Sequence, residues 1–245
     1  MSIILKAEGI SKAFQGEEIV KDISLTLKKG ELVSLLGPSG VGKTTLFQML
    51  SGLEEPDSGQ IYIQDENVTG VSGKVGYMQQ KDLLLPHKTV LDNVCIPLKL
   101  KGISKKIARD QALSHFTEFR LMGAENKYPF QISGGMRQRA ALLRTYLFNG
   151  ELLLLDEPFS ALDSITKGKL YKWFREIMIQ YHSSVFLITH DIEEAIFLSD
   201  RIYIMAGVPG KIQKEVQIHC ATDRETFLLS EAFLGYKGEI LKNLG

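Results

Sequence analysis

Apolar residues recur along this chain in three different rhythms. Ile23-Ser24-Leu25-Thr26-Leu27 alternates apolar with polar positions, the period of a strand with one face buried and one face wet. Ile61-Tyr62-Ile63 and Val75-Gly76-Tyr77-Met78 are further strand segments, rich in β-branched and aromatic residues. The second rhythm is nearly continuous. Leu32-Val33-Ser34-Leu35-Leu36, Leu152-Leu153-Leu154-Leu155 and Val185-Phe186-Leu187-Ile188 have almost no polar positions, as expected of strands covered on both faces. Helical patterns separate these three, and such a βα alternation predicts a parallel sheet flanked by helices.

The third rhythm occupies residues 90–146, where charged and apolar side chains mix at helical spacing, most clearly over 104–121. This stretch is expected to be a mostly helical insertion in the α/β unit. Residues 222–245 carry Phe227, Leu228, Phe233, Ile240 and Leu241, a pattern that suits a short helical tail. No repeat, low-complexity tract or linker divides residues 1–245, so one domain is expected.

Composition narrows the classes. Of the 245 residues, 44% are hydrophobic and 24% charged, which removes disordered, collagen-like and coiled-coil readings. Lysine plus arginine balances aspartate plus glutamate at 29 each, and a zero formal charge argues against a dedicated nucleic-acid binder. No apolar run approaches the roughly 18 residues of a membrane span, and the first residues lack the pattern of a secretory signal. Cys95 and Cys220 form neither a disulfide framework nor a metal-ligand spacing.

Chemistry enters at Gly37-Pro38-Ser39-Gly40-Val41-Gly42-Lys43-Thr44, which fits G-x-x-x-x-G-K-[ST] between a buried strand and a helix beginning near Thr45. Glycines let the backbone turn tightly and aim successive N–H groups at phosphate oxygens, and the helix N-terminus adds partial positive charge. Lys43 is expected to reach the β- and γ-phosphates and Thr44 to ligate Mg²⁺. The strand 152–155 runs into Asp156-Glu157. At the carboxyl end of the sheet Asp156 can organise the cation, and Glu157 is placed to act on the attacking water as general base. By themselves, two acidic residues ending a strand are as well explained by solvation.

Ile132-Ser133-Gly134-Gly135-Met136-Arg137-Gln138-Arg139 closely matches the L-S-G-G-Q signature of the ATP-binding cassette (ABC) ATPases, with Ile132 for Leu and Met136 for Gln. The resemblance covers essentially the whole chain. It implies an α/β P-loop cassette with a RecA-like core, an antiparallel β subdomain and a helical subdomain. It implies ATP and Mg²⁺ as cofactors, with the loop from Gly37 through Thr45 on the phosphates. Phe14 stands where the family places an adenine-stacking aromatic. Gln80 resembles the Q-loop glutamine, with Gln79 an alternative register, and would join Thr44 and Asp156 at the metal. Ser160-Ala161-Leu162-Asp163 resembles the D-loop and puts Asp163 at the nucleotide. His190 resembles the switch histidine. Each nucleotide would be sandwiched between the phosphate loop of one subunit and the Ser133-Gly134-Gly135 segment of another, in a head-to-tail dimer read as a homodimer.

Leu84-Leu85-Pro86-His87 followed by Val90-Leu91-Asp92-Asn93-Val94 is similar to a stretch of importers for nitrate, sulfonates and taurine, with His87 in place of Trp; related importers carry thiamine-pyrimidine precursors. The resemblance therefore implies the ATPase subunit of an importer, working with a permease and an extracytoplasmic binding protein at the cytoplasmic face of the membrane. The cargo would be a small anionic solute or a vitamin precursor. A soluble cluster-assembly scaffold, a nucleic-acid-associated ATPase and an exporter subunit are the alternatives; the stretch between Lys43 and Ser133 holds no sustained heptads, which disfavours chromosomal members. The apolar run from Leu83 to His87 is expected either to meet a permease helix or to close the helical subdomain's own core. Trp173 and Phe174 read as helix core, His115, His182 and His219 as structural or solvated, and Lys105-Lys106 and Glu193-Glu194 as solvated helix faces.

Overall fold

The computed structural model describes residues 2–160, 164–220 and 223–244, and for residues 164–167 the backbone alone. Strands β1 (Ile3–Phe14) and β2 (Glu17–Lys28) form a long hairpin, followed by β3 (Leu32–Leu36) and helix α1 (Lys43–Leu50). Next come β4 (Ser58–Ile63), β5 (Glu66–Asn67) and β6 (Gly76–Met78). Helices α2 (Val90–Val94), α3 (Ile96–Leu100), α4 (Lys105–Ser114) and α5 (Gly134–Phe148) then run without an intervening strand among the described residues. The chain continues through β7 (Leu152–Asp156), α6 (Ser164–Gln180), β8 (Ser184–Thr189), α7 (Ile192–Leu198), β9 (Arg201–Ala206) and β10 (Lys211–Gln217). It closes on α8 (Arg224–Phe227) and α9 (Glu231–Leu244).

Two sheets result, a six-stranded one in the order β10-β9-β3-β8-β7-β6 and a four-stranded antiparallel one in the order β2-β1-β4-β5. In the first, β9, β3, β8, β7 and β6 are parallel and β10 is antiparallel. Every residue of β3, β7 and β8 is buried, the physical reason their sequences are apolar throughout rather than alternating. Pairing aligns Leu36 with Thr189 and Asp156 with Ile188. The carboxyl ends of β3, β8, β7 and β6 therefore lie side by side.

Helix α1 packs its Leu46, Phe47 and Leu50 into a core shared by both sheets, with Leu5, Leu27 and Phe186. A second core joins the helices over 90–148 to α6 through Phe116, Phe119, Trp173 and Phe174. The tail covers β9 through Phe227, Phe233 and Ile240. Helix α4 stops at Ser114, well short of residue 121. Just beyond it Phe116 and Phe119 are both fully buried, and Trp173 Nε1 donates to the Glu118 carbonyl at 2.8 Å. Burying both rings competes with continuing the helix, and burial wins.

Glu194 departs from the sequence expectation. It is 3% exposed and accepts from the Tyr171 hydroxyl at 2.8 Å, so it is a buried partner on α7 and not a solvated one. Glu193 beside it faces outward and pairs with Lys237.

The two sheets are stapled by Arg201 at the start of β9. Its guanidinium meets both oxygens of Glu31 at 2.9 and 3.0 Å and donates to the Thr26 carbonyl at 2.7 Å. Both charged side chains are under a tenth exposed. Removing Glu31 takes away both of its contacts and leaves the buried guanidinium to Glu215, a half-exposed carboxylate 3.0 Å from Nη1. Glu31→Ala is expected to lower unfolding stability by about 3 kcal/mol, the lower end for a broken buried pair because that second carboxylate remains, read as a lower urea midpoint.

Candidate active site

The phosphate loop is shaped by steric contact at both ends. An added Cβ on Gly37 would meet the Met205 carbonyl oxygen at 2.2 Å, and one on Gly42 would meet Val20 Cγ1 at 2.6 Å. Gly42 also has φ 99° and serves as N-cap of α1, a backbone conformation that side chains disfavour. With no capping side chain there, the first N–H groups of α1 remain available to an anion. Lys43 is buried and donates to the Gly37 and Pro38 carbonyls at 2.8 Å each. Burial pushes its ammonium pKa down, while Glu157 and Asp156 pull it back up. The loop carbonyls thus hold a desolvated cation where the motif directs a phosphate. Pro38, Ser39 and Gly40 are exposed, Val41 is buried, and Thr45 is half-buried on α1.

Asp156 ends β7 at 3% exposure and accepts from the Thr44 hydroxyl at 2.8 Å. Burial pushes its carboxyl pKa up, opposed by the Thr44 hydrogen bond, raised further by Glu157 and lowered by Lys43. A carboxylate and a hydroxyl brought together in this way are hard oxygen donors of the kind that suits a divalent cation with phosphate and water as its remaining ligands.

Glu157 follows in the left-handed region at φ 47°, uncommon for a side chain with a Cβ and characteristic of functional turns. Its N–H donates to the Ile188 carbonyl at 3.0 Å, tying the turn to the neighbouring strand. Its carboxylate is shared. Gln80 Nε2 donates to Oε2 at 3.0 Å, and His190 Nδ1 lies 3.1 Å from Oε1. A carboxylate there assigns the proton to Nδ1. Three residues remote in sequence therefore meet because β6, β7 and β8 are adjacent. Gln80, not Gln79, reaches Glu157; Gln79 lines a separate groove.

The signature residues lie elsewhere on the surface. Ser133 is exposed and caps α5, accepting from the Met136 N–H at 3.3 Å. Gly134 and Gly135 open that helix, half-buried. Phe14 ends β1 at 43% exposure with the Lys12 ammonium 5.3 Å from its ring centre. Asp163, with Ala161 and Leu162, lies outside the described residues.

Sequence reasoning missed the struts around Gln80. Arg137 Nε donates to Asp82 at 3.2 Å, and Arg144 donates to the Asp82 and Leu83 carbonyls at 2.6 and 2.8 Å. Both arginines project from one side of α5, about two turns apart; the helical spacing of seven between 137 and 144 was the available signal.

The two glycine motifs differ in what the monomer asks of them. Gly37→Ala is expected to cost about 1–3 kcal/mol of nucleotide-free stability from the clash with Met205. At Gly134 an added Cβ meets nothing nearer than Arg137 Nη2 at 3.7 Å, so Gly134→Ala should stay within about 0.5 kcal/mol of the parent or gain stability. Paired denaturant titrations of the two variants check this.

The family model described as ABC transporter matches residues 20–160. A formylaminopyrimidine import ATP-binding protein of Halalkalibacterium halodurans is 44% identical over 216 residues, covering 88% of this chain and 84% of its own length. An aliphatic sulfonates import ATP-binding protein of Bacillus cereus is 38% identical over 239 residues, covering 96% and 93%. A nitrate import ATP-binding protein of Synechocystis is 37% identical over 226 residues, covering 91% and 85%. Among solved structures, the dimeric post-hydrolysis state of an ATP-binding cassette bound to ADP and Pi superimposes with TM-score 0.78 at 29% identity, covering 89% of this chain and 100% of that one. With the loop, the Asp156-Glu157 strand end and the Ser133 helix cap already in place, these likenesses fix the family: the chain belongs to the ABC transporters as an ATP-binding cassette ATPase.

Proposed function

We propose that this chain is the ATP-hydrolysing subunit of a membrane importer for a small polar solute, either an anion of the nitrate or sulfonate kind or a vitamin precursor. The carrying observation is the Glu157 carboxylate, held between Gln80 and His190 beside the loop that holds Lys43. The import ATP-binding relatives support the transport role. No helix among the described residues is long and apolar enough to cross a membrane. The membrane partners in this reading are permease subunits at the cytoplasmic face, fed by an extracytoplasmic binding protein.

In this reading Lys43 leaves the carbonyls of its own loop for the β- and γ-phosphates, and the α1 N-terminus contributes further donors. Thr44, Asp156 and Gln80 hold Mg²⁺, which when bound supplies positive charge to the phosphate oxygens. Glu157 accepts a proton from water as the water oxygen bonds the γ-phosphorus and the bond to the β-phosphate oxygen breaks. His190 and Gln80 fix the carboxylate and face the γ-phosphate. Ser133, Gly134 and Gly135 of a second copy close over the same phosphate, and Asp163 and Phe14 complete the nucleotide contacts. ATP then holds the dimer shut and ADP does not, because the missing phosphate removes the shared ligand.

The roles of Lys43 and Glu157 separate experimentally. Lys43→Ala should lose most ATP affinity, since the ammonium meets phosphate charge before and during reaction. Glu157→Gln should bind ATP, lose roughly 100- to 10,000-fold in turnover, and accumulate an ATP-bound dimer by sedimentation. Parent-like turnover of Glu157→Gln in the assembled transporter would remove Glu157 from its role.

The run from Leu83 to His87 divides between the two expected fates. Leu84 is core at 7% exposure, while Leu83 and Leu85 are exposed at 50% and 36%. Asn93, fully buried, pins the turn by accepting from the Leu85 N–H at 2.7 Å and donating to the Leu85, Lys88 and Thr89 carbonyls. Close by, Leu53, Ile96, Leu100, Arg144 and Phe148 line a groove of about 290 Å³. Arg144 also holds Asp82 and Leu83, so this groove and Gln80 share a strut. A short permease helix seated there would read the nucleotide state. Leu85→Arg, in the apolar run, and Leu100→Arg, in the groove wall, should each abolish transport and weaken permease binding, with ATP affinity of the isolated chain within about twofold and stability within about 0.5 kcal/mol of the parent. Intact transport would put the docking site elsewhere.

A further inference from the structure

An exposed aromatic pair stands immediately before the signature. Tyr128 and Phe130 stack with ring centres 5.7 Å apart and planes 8° from parallel, at 39% and 74% exposure. Pairs of large rings are seldom left in water, because each square ångström of apolar surface costs about 25 cal/mol when hydrated. The segment is rigid. Gln131 N–H donates to the Tyr128 carbonyl at 2.9 Å, and Tyr128 N–H donates back to Gln131 Oε1 at 2.8 Å, closing a 3₁₀ turn over Pro129–Gln131. Upstream, the Glu125 and Lys127 carbonyls accept from the Leu91 and Val90 N–H groups of α2. The rings are thus presented on a braced turn and have no packing duty in the cores of the monomer.

We infer that Phe130 is a nucleobase platform working in trans, stacking on the adenine of ATP bound by a second copy of this chain. The inference rests on the proposed dimer, in which exposed Ser133 meets the γ-phosphate of that ATP. Three residues of chain span at most about 10 Å, so Phe130 is tethered within one nucleotide length of Ser133, and both are exposed. The opposite face of the base falls to Phe14 of the subunit that binds the phosphates. One face of the Phe14 ring already carries the Lys12 ammonium, which leaves the other for the base. The base is then held between two rings from two copies, and the triphosphate between the loop of one and the α5 N-terminus of the other. Phe130 contributes to closure of the dimer, not to the first capture of ATP by a single subunit.

The test uses the full chain in the Glu157→Gln background with Mg²⁺ and ATP, reading the dimer dissociation constant by sedimentation. Adding Phe130→Ala is expected to raise that constant by roughly 5- to 150-fold for each base unstacked. ATP affinity of the dilute monomer should stay within about twofold and the melting temperature unchanged, as suits an exposed side chain. Phe130→Trp should restore dimerisation. An unchanged dissociation constant for Phe130→Ala overturns the inference and leaves the dimer standing. Equal loss with alanine and tryptophan assigns Phe130 a shape role and also overturns it. So does an intact ATP dimer that no longer assembles with permease, which would make the pair a membrane-subunit contact. Absence of any ATP-driven dimer in the Glu157→Gln parent removes the inference together with the reading beneath it.

Discussion

A lysine and an aspartate are kept almost out of water at one edge of a sheet whose central strands have no wet face, and the remaining architecture serves that arrangement. Burial disfavours the charge on both groups, pulling the Lys43 pKa down and the Asp156 pKa up. The ammonium is held by the fields of Glu157 and Asp156 and by the Gly37 and Pro38 carbonyls, and the Asp156 carboxylate by the Thr44 hydroxyl and, less, by Lys43. In the proposed function, phosphate oxygens would replace those two neutral carbonyls with full charges in the same dry setting, where each contact counts for more than at an open surface. Such a site needs walls that exclude water, and the walls are the leucine-rich strands themselves.

The same sheet order explains why distant residues can act together. Met78, Asp156 and Thr189 end adjacent parallel strands, so the residues that follow them, Gln80, Glu157 and His190, emerge within hydrogen-bond reach. The segment after Gln80 is not free to move alone, because Arg137 and Arg144 tie Asp82 and Leu83 to α5. Helix α5 begins at the signature. Were Gln80 to shift with the nucleotide as the proposed function has it, these contacts would carry the shift to α5 and to the groove beside Arg144. This is the packed, two-position kind of coupling that side-chain networks carry best.

What could be read from the sequence follows from burial. Strands β3, β7 and β8 announce themselves because full burial forces continuous apolar runs, and the phosphate loop because tight turns force glycine. Strands β9 and β10 gave no comparable sign: Arg201 opens β9, and β10 alternates exposed and half-buried positions on the sheet edge. Glu194 was misread because its partner Tyr171 lies on another helix, and a carboxylate looks solvated until that hydroxyl is found. Helical spacing over 104–121 does not show where α4 stops, since periodicity does not register the competing pull of Phe116 and Phe119 into the core. Glu157 is nameable from its place after a buried strand, and Gln80 and His190 through family likeness, but the meeting of the three at one carboxylate is a property of strand adjacency that no local pattern encodes.

The motif glycines separate two kinds of constraint that look identical in sequence. Gly37 has the Met205 backbone against it, so the fold itself excludes a side chain there. Around Gly134 the monomer leaves room, and Ser133 beside it spends its hydroxyl only on capping α5 through a 3.3 Å contact. Among the described residues, nothing packed against Gly134 asks for a missing side chain there. A demand that does not come from the chain's own packing has to come from what approaches it. A backbone stripped of Cβ atoms at a helix N-terminus fits the close approach of an anion. The phosphate loop can be understood as part of a fold, whereas the signature makes physical sense only as half of an interface.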